Sequence, residues 1–211
     1  MNIVVVISGN GSNLQAIIDA QQTGQLKSNI SGVVSNRPNA YGLKRAEQAG
    51  IPTSIVDHTH FSDRESFEKE FIEAIDAYQP DWVILAGFMR ILTPLFVRHY
   101  KGRMLNIHPS LLPKYPGLNT HQSAIDAGDT KHGASIHFVT EELDDGPAFL
   151  QGVVPVLADD TAESLAQRVH SIEHIIYPLA IQWCEENRIE WIEDQCHING
   201  LPVQQPTQIH L

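Results

Sequence analysis

Apolar residues along this chain fall into two alternating patterns, short continuous runs and longer stretches with helical spacing. A continuous run between turn residues is typical of a buried strand, and recurrence at every third or fourth position is typical of an amphipathic helix. Up to residue 127, the pattern predicts strands over residues 3–7, 30–35, 53–56, 81–86 and 104–107. It predicts helices over residues 13–23, 41–49, 62–78, 95–100 and 121–127. Ser62 and Glu65 have the spacing of a capping box at the start of the third helix.

The rest of the chain has a different order of elements. Strands are predicted over residues 134–139 and 148–156, and their connection is too short for a helical crossover, so we expect an antiparallel pair. A long helix is predicted over residues 161–187. A strand over residues 189–192 and the turn Asn199-Gly200 predict a small terminal hairpin, and the polar end from Gln204 is expected to be loose.

Repeated strand–helix–strand units predict an α/β fold. We expect one open, mostly parallel sheet with helices on both faces and an antiparallel strand in the C-terminal half. No linker-like stretch interrupts residues 1–211, so a single domain is predicted. Ligands of such sheets bind beyond the carboxyl ends of the strands. The loops at residues 8–13, 87–90 and 106–113 are therefore the predicted ligand-binding loops.

The charge of the chain narrows the choice of partners. Lys and Arg number 14 against 25 Asp and Glu, which gives a net charge of −11. Neutralising a phosphate backbone takes clustered cations, so this balance argues against nucleic acid. The first apolar run is too short for a secretory signal, and no stretch approaches the roughly 18 apolar residues of a membrane span. We expect a cytoplasmic monomer or homodimer that acts on small molecules, away from membranes.

A glycine-rich turn, Ser8-Gly9-Asn10-Gly11-Ser12-Asn13, lies between the first predicted strand and helix. Glycine lets backbone N–H groups point at an anion, and the helix N-terminus adds a favourable dipole. The turn lacks the third glycine of a dinucleotide fingerprint, and no P-loop lysine follows. A phosphate on a single ribose fits better than NAD, and a tight turn without a ligand is the alternative.

Asn106 and His108 stand two residues apart at the end of the fifth strand, so their side chains leave the same face. An amide donor beside an imidazole suits stabilisation of a tetrahedral oxyanion and proton transfer. The acidic loop at residues 141–147 follows the sixth strand, and a carboxylate there could orient His108. The alternatives are a histidine without a catalytic role and a solvated acidic turn.

Two further segments have competing readings. Large apolar residues over residues 87–92 suit a slot for a flat heterocycle, although ordinary core packing is the favoured interpretation of this segment taken alone. Residues 170–174 match the His-x-x-Glu-His pattern of some zinc proteases, but so short a pattern recurs by chance and no further ligand is identifiable. Cys184 and Cys196 also fit no metal pattern. We predict no metal site.

Four motifs occur in one order: ISGNGSNL at residues 7–14, LAGFMRIL at 85–92, LNIHPSLLP at 105–113 and LDDGP at 143–147. Together they closely resemble the phosphoribosylglycinamide formyltransferase family, folate-dependent enzymes of de novo purine synthesis. The resemblance extends to about residue 187. It implies a Rossmann-like formyltransferase fold with a nucleotide-binding half over about residues 1–100, a catalytic and folate-binding half over about 101–187, and an extension over 188–211.

The resemblance also implies a reaction and residue roles. A formyl group passes from 10-formyltetrahydrofolate to the amine of glycinamide ribonucleotide, without a metal. The residues that match the catalytic trio are Asn106, His108 and Asp144. Those that match the ribonucleotide site are Gly11, Ser12, Asn13, His170 and Glu173. Those that match the folate site are Arg64, Met89, Arg90, Ile91, Leu92, Asn106, Thr140, Glu141, Glu142, Leu143 and Asp144.

Three alternatives remain at this stage. Methionyl-tRNA formyltransferases share the core motifs, but they add a basic domain for which this chain has neither length nor charge. A formyltetrahydrofolate deformylase would use the same catalytic trio with water, although a phosphate loop serves no purpose in that hydrolysis. A non-catalytic nucleotide-binding module would explain the glycine turn but not His108 beside Asp144.

Overall fold

A computed structural model describes all residues from 1 to 211 and divides the chain into two compact units, residues 1–105 and 106–211. The strands of the first unit are β1 (Asn2–Ile7), β2 (Asn29–Ser35), β3 (Thr53–Ile55), β4 (Trp82–Leu85) and the beginning of β5 (Met104–His108). Its helices are α1 (Ser12–Gln22), α2 (Tyr41–Gln48), α3 (Arg64–Asp76) and α4 (Pro94–His99), with one 3-10 turn at His58–His60.

The sheet of the first unit is parallel, in the order β4-β1-β2-β3. Its central strand β1 is apolar from Ile3 to Ile7, and all five residues are fully buried. A strand buried on both faces has no polar face, which explains the continuous apolar run. Parallel strands point the same way, so the segments that follow β1 and β4 leave the sheet at one edge.

The second unit contains the end of β5 and all later elements. These are α5 (Thr120–Asp126), β6 (Lys131–Phe138), β7 (Ala148–Pro155), α6 (Ala162–Glu185), β8 (Ile189–Ile192), β9 (Gln195–Ile198), β10 (Leu201–Pro202) and β11 (Thr207–His210). β6 and β7 pair antiparallel, as predicted. The helix α6 packs on both strands, and Gly152 permits the close approach, since a Cβ there would lie 2.3 Å from Ile172 Cγ1. The predicted fold class is confirmed.

Two local predictions are wrong, and the predicted terminal hairpin is confirmed with one strand more. Asp63, and not Ser62, begins α3: its carboxylate accepts the backbone N–H of Ser66 at 2.8 Å, because the helix starts one residue later than the Ser62–Glu65 pattern assumed. The terminal hairpin has a third strand, since Asn199-Gly200 turns the chain from β9 into β10. The end beyond Gln204 is ordered, because β11 pairs with the exposed edge of β7.

The helices also bear on the membrane prediction. None of them combines the length and apolar content that crossing a bilayer requires.

Candidate active site

A buried histidine–carboxylate pair lies in the second unit. His108 ends β5, and Asp144 lies in the loop between β6 and β7. The His108 Nδ1 and Asp144 Oδ2 atoms are 3.3 Å apart, and the two side chains are only 6% and 8% exposed. Water therefore screens this pair weakly, so removing either partner would leave the other buried without its counter-charge. The carboxylate predicted to orient His108 does lie beside it.

Backbone groups hold both members of this pair. The other ring nitrogen of His108, Nε2, donates to the carbonyl of Tyr115 at 2.8 Å. The carboxylate of Asp144 accepts the N–H of Gly117 at 2.9 Å. Each nitrogen of the imidazole thus faces an oxygen atom that can accept a hydrogen bond. Asp144 itself has a φ of 53°, a left-handed conformation that Asp tolerates better than most residues.

His137, which was not predicted, connects Asn106 to this pair. Its Nδ1 donates to the carbonyl of Phe138 at 2.8 Å, so in the neutral ring its Nε2 is an acceptor, and the Asn106 amide nitrogen lies 3.1 Å from it. Burial lowers the pKa of His137, which keeps the ring neutral. Its Nε2 is also 4.0 Å from Asp144 Oδ1. His137 therefore fixes which way the Asn106 amide points.

Polar residues on β6 also hold the loop that follows His108. Ser135 donates to the carbonyl of Ser110 at 2.7 Å and accepts the N–H of Leu112 at 3.0 Å. Ser135 and His137 are two apart on one strand, so they share a face. Ser135 and His137 alternate with Ala134, Ile136 and Phe138, and this alternation is the signal that could have pointed to His137. The loop also contains a cis peptide bond between Leu112 and Pro113.

The predicted phosphate loop lies in the first unit, between β1 and α1. Gly11 begins the helix with a φ of 73°, and no side chain caps it. A Cβ on Gly11 would lie 2.7 Å from the Cα of Gly42, so both the conformation and the space require glycine. Gly42 also donates its N–H to the carbonyl of Gly9 at 3.1 Å. The turn is therefore shaped by a close contact with α2.

The segment between β4 and α4 is anchored at two points of the first unit. The hydroxyl of Ser8 accepts the N–H of Met89 at 2.9 Å and donates to the Asn36 amide oxygen at 2.6 Å. The buried Glu68 accepts both the backbone N–H and the hydroxyl of Thr93. Between these anchors the backbone is irregular, so its N–H and C=O groups are not used in a sheet.

The same segment has features of both interpretations that the sequence left open, core packing and a slot for a flat heterocycle. Phe88 is half-buried and stacks on Phe71 of α3 with ring centroids 5.5 Å apart, so this residue packs against the core. Met89 and Ile91, however, are 64% and 55% exposed. Arg90 lies with its guanidinium 5.3 Å from the Phe67 ring centroid. Two large apolar side chains on an anchored loop suit a flat apolar ligand.

The other residues of the predicted site differ in exposure. Arg64 is exposed in the first turn of α3, and Thr140 donates to the carbonyl of Glu142 at 3.3 Å within an exposed loop. On α6, His170 is exposed and Glu173 is buried. No group of three side chains that could bind a metal is present among residues 1–211, at the His-x-x-Glu-His stretch or elsewhere.

The structure thus brings Asn106, His108 and Asp144 together within the second unit, with His137 among them. Of the other predicted residues, the ones in the first unit are Gly11, Ser12, Asn13, Arg64, Met89, Arg90, Ile91 and Leu92. The second unit contains Thr140, Glu141, Glu142, Leu143, His170 and Glu173. Their roles in binding stay predictions.

Comparison with known proteins identifies the family of this chain. Residues 1–181 match the family model described as formyl transferase. The chain is 55% identical to phosphoribosylglycinamide formyltransferase of Escherichia coli strain K12, over 97% of each protein. The solved structure of phosphoribosylglycinamide formyltransferase from Coxiella burnetii superposes with a TM-score of 0.94, at 51% identity, over 99% of this chain and 98% of the other.

A larger protein contains a similar segment. The trifunctional purine biosynthetic protein adenosine-3 of Drosophila melanogaster is 46% identical over 85% of this chain and 13% of its own length. The predicted resemblance is therefore confirmed: this chain belongs to the formyl transferase family and, within it, to the phosphoribosylglycinamide formyltransferases.

Proposed function

We propose that this protein transfers the formyl group of 10-formyltetrahydrofolate to the amine of N1-(5-phospho-D-ribosyl)glycinamide. The products are formylglycinamide ribonucleotide and tetrahydrofolate, and the reaction belongs to de novo purine biosynthesis. Family membership makes the protein an enzyme, a formyl transferase with a folate-derived formyl donor. The observation that carries the proposal is the buried pair of His108 and Asp144, with its 3.3 Å separation, beside the amide of Asn106.

The proposed chemistry begins with attack of the substrate amine on the formyl carbon. The carbonyl oxygen then becomes an oxyanion, which Asn106 and the protonated His108 stabilise by donating N–H groups. His137 keeps the nitrogen of the Asn106 amide on the correct side, because its acceptor atom engages that nitrogen. His108 reaches the oxyanion when its Nε2–H exchanges the Tyr115 carbonyl for the substrate oxygen.

Proton transfer completes the reaction. The attacking nitrogen becomes positive and loses one proton, and the folate nitrogen gains one as its bond to the formyl carbon breaks. Asp144, whose Oδ2 lies 3.3 Å from His108 Nδ1, helps this transfer through water. Collapse of the oxyanion restores the carbonyl on the ribonucleotide product, so no net proton is consumed within the site.

Each substrate has its own proposed residues. The phosphate binds at Gly11, Ser12 and Asn13, because an uncapped helix N-terminus after a glycine turn presents N–H groups and a positive dipole end. His170 and Glu173 bind the rest of the ribonucleotide, with Glu173 on the ribose hydroxyls. The folate binds at Arg64, at Met89 to Leu92, at Asn106 and at Thr140 to Asp144, with the exposed Met89 and Ile91 against its heterocycle.

The partners are small molecules, and the protein works as a monomer or homodimer without a metal. A cytoplasmic location is part of the proposal, and it is supported by the similarity to enzymes of purine biosynthesis.

Formyl release from 10-formyltetrahydrofolate tests the proposed reaction. We expect release only when glycinamide ribonucleotide is present, with a stoichiometric formylated product. Release in its absence would identify a deformylase, and no release in either case would identify a binding module. His108→Gln should abolish transfer, whereas His60→Gln, at a histidine side chain that is 78% exposed, should not change it.

A further inference from the structure

A single arginine spans the predicted phosphate loop from a neighbouring helix. Arg45 lies on α2, and its Nε donates to the carbonyl of Asn10 at 2.9 Å. Its Nη2 donates to the Asn10 side-chain oxygen at 3.0 Å, and its Nη1 donates to the Gln15 side-chain oxygen at 3.2 Å. Asn10 precedes the segment Gly11–Asn13, and Gln15 follows it by two residues. One guanidinium therefore ties together the two flanks of the segment.

We infer that Arg45 is a positioning residue for ribonucleotide binding, which holds the backbone amides of residues 11–13 in the geometry that accepts a phosphate. The inference rests on the proposed function, because it takes that segment as the phosphate site. Arg45 acts through the loop: three of its five N–H groups are used on Asn10 and Gln15.

The guanidinium of Arg45 also packs over an aromatic ring of its own helix. Its central carbon lies 4.9 Å from the ring centroid of Tyr41, which is on the preceding turn of α2. The same helix touches the loop at Gly42, where a Cβ would lie 3.3 Å from the Cα of Gly11 and 2.5 Å from Ile7 Cδ1. The arginine and the glycine contact thus brace the loop from one helix.

A backbone anion site depends on such bracing. Amide N–H groups have fixed directions, so a turn that relaxes loses several donors to the phosphate together. Arginine suits the bracing of this loop because its planar fork can donate to acceptors on two residues at once. A lysine carries the same charge but offers one compact donor centre, so it cannot reach Asn10 and Gln15 in the same way.

Steady-state kinetics on four proteins test the inference: the wild type, Arg45→Met, Arg45→Lys and the control Lys44→Met. Lys44 is the neighbouring residue on α2, and its Nζ lies 5.9 Å from the same Tyr41 ring, so Lys44→Met removes an equal charge without touching the loop. We expect both Arg45 variants to raise the KM for the ribonucleotide roughly tenfold or more. We expect kcat, the KM for the folate and the Lys44→Met protein to stay within about twofold of the wild type.

Hydrogen exchange in the absence of ligands provides the second readout. Amides of residues 11–14 should exchange faster in both Arg45 variants than in the wild type or in Lys44→Met, at unchanged global stability. A ribonucleotide KM restored to the wild-type value in Arg45→Lys would overturn the inference, because charge alone would then suffice. Equal effects in Arg45→Met and Lys44→Met would overturn it as well.

The outcome is separable from a failure of the proposed function. If the wild type shows no ribonucleotide-dependent formyl transfer, the proposed function fails. The exchange experiment still reports on the bracing, and unchanged exchange at residues 11–14 in both Arg45 variants would overturn that part independently.

Discussion

The catalytic cluster of the second unit and the phosphate loop of the first unit use opposite means to prepare for a ligand. In the cluster, the active groups are side chains, and three of the four (His108, His137 and Asp144) are almost entirely buried. In the loop, the active groups are backbone amides, and the side chains nearby serve to shape the turn. Charge and hydrogen-bond partners determine how the catalytic cluster is prepared for its ligand. The path of the main chain determines how the phosphate loop is prepared.

This difference predicts different sensitivities. A buried ion pair tolerates a change of shape better than the loss of one charge, because the remaining charge is left desolvated. A backbone site depends on the path of the main chain more than on charge as such, and a single added Cβ can displace its donors. Substitutions that remove a charge at constant size should therefore impair the cluster most. Substitutions that add volume should impair the loop most.

Asp144→Asn should have the largest effect, because it removes the charge and keeps the size. Without the carboxylate, His108 loses its counter-ion and the proton route loses a group. General acid–base contributions are typically about 10²–10⁴-fold, so we expect a loss of turnover in that range or beyond, with much smaller changes in substrate affinity. Single-turnover rates measure it. The control is Asp145→Asn at the neighbouring exposed carboxylate, and equal rates in the two variants would show that the acidic loop is only a solvated turn.

Gly11→Val should have the next largest effect. The variant needs a left-handed conformation that a β-branched residue rarely adopts, and its Cβ would meet the Cα of Gly42. A displacement that costs about 1–3 kcal/mol corresponds to roughly a 5- to 150-fold loss of ribonucleotide affinity. Folate affinity should change little. The control is Gly9→Ala, whose Cβ would meet no atom within 4 Å. A parallel loss of both ligands in a folded Gly11→Val protein would contradict separate sites.

His121 and His132 make the stability of the second unit sensitive to acid. Burial first, and then the neighbouring His121, lower the pKa of His132 to about 4, and His121 Nδ1 lies 3.2 Å from His132 Nε2. The folded pKa is below the ordinary value, so the unfolded chain binds more protons below about pH 6.5 and stability falls as pH drops from there towards 4.

His132→Gln should therefore reduce the pH dependence of unfolding. Between pH 7 and 5 we expect the wild type to lose roughly 1–2 kcal/mol through this residue, and the variant to lose that much less. Urea unfolding at the two pH values measures the difference. His60→Gln, at an exposed histidine, should behave like the wild type. The arginine brace of the phosphate loop stays charged over this range, so loop exchange rates should not follow the same pH curve.

Chelation should have the smallest effect, namely none. The proposed chemistry needs an oxyanion donor and a proton carrier, and the side chains of the cluster supply both. Transfer rates before and after exhaustive treatment with a chelator, together with elemental analysis, test this. Stoichiometric zinc whose removal abolishes turnover would reverse the interpretation of residues 170–174.

Local pattern was enough to predict the main elements and the pairing of His108 with an acid. Continuous apolar runs marked the buried strands, and the spacing of Asn106 and His108 put both on one face, because these features depend on residues close in the chain. The ordered end at β11 could not be predicted, since it depends on a partner edge more than fifty residues earlier, and the side chains of β11 are mostly exposed.

The sequence by itself determined the fold class, the motif order and the candidate catalytic trio. Only the tertiary structure decided which residues support them. His137 meets Asn106 across 31 positions, and Arg45 meets Asn10 across 35. Hydrogen bonds between distant segments form only once the sheet has brought those segments together. No periodicity along the chain records them, because each depends on two positions whose separation is set by the fold.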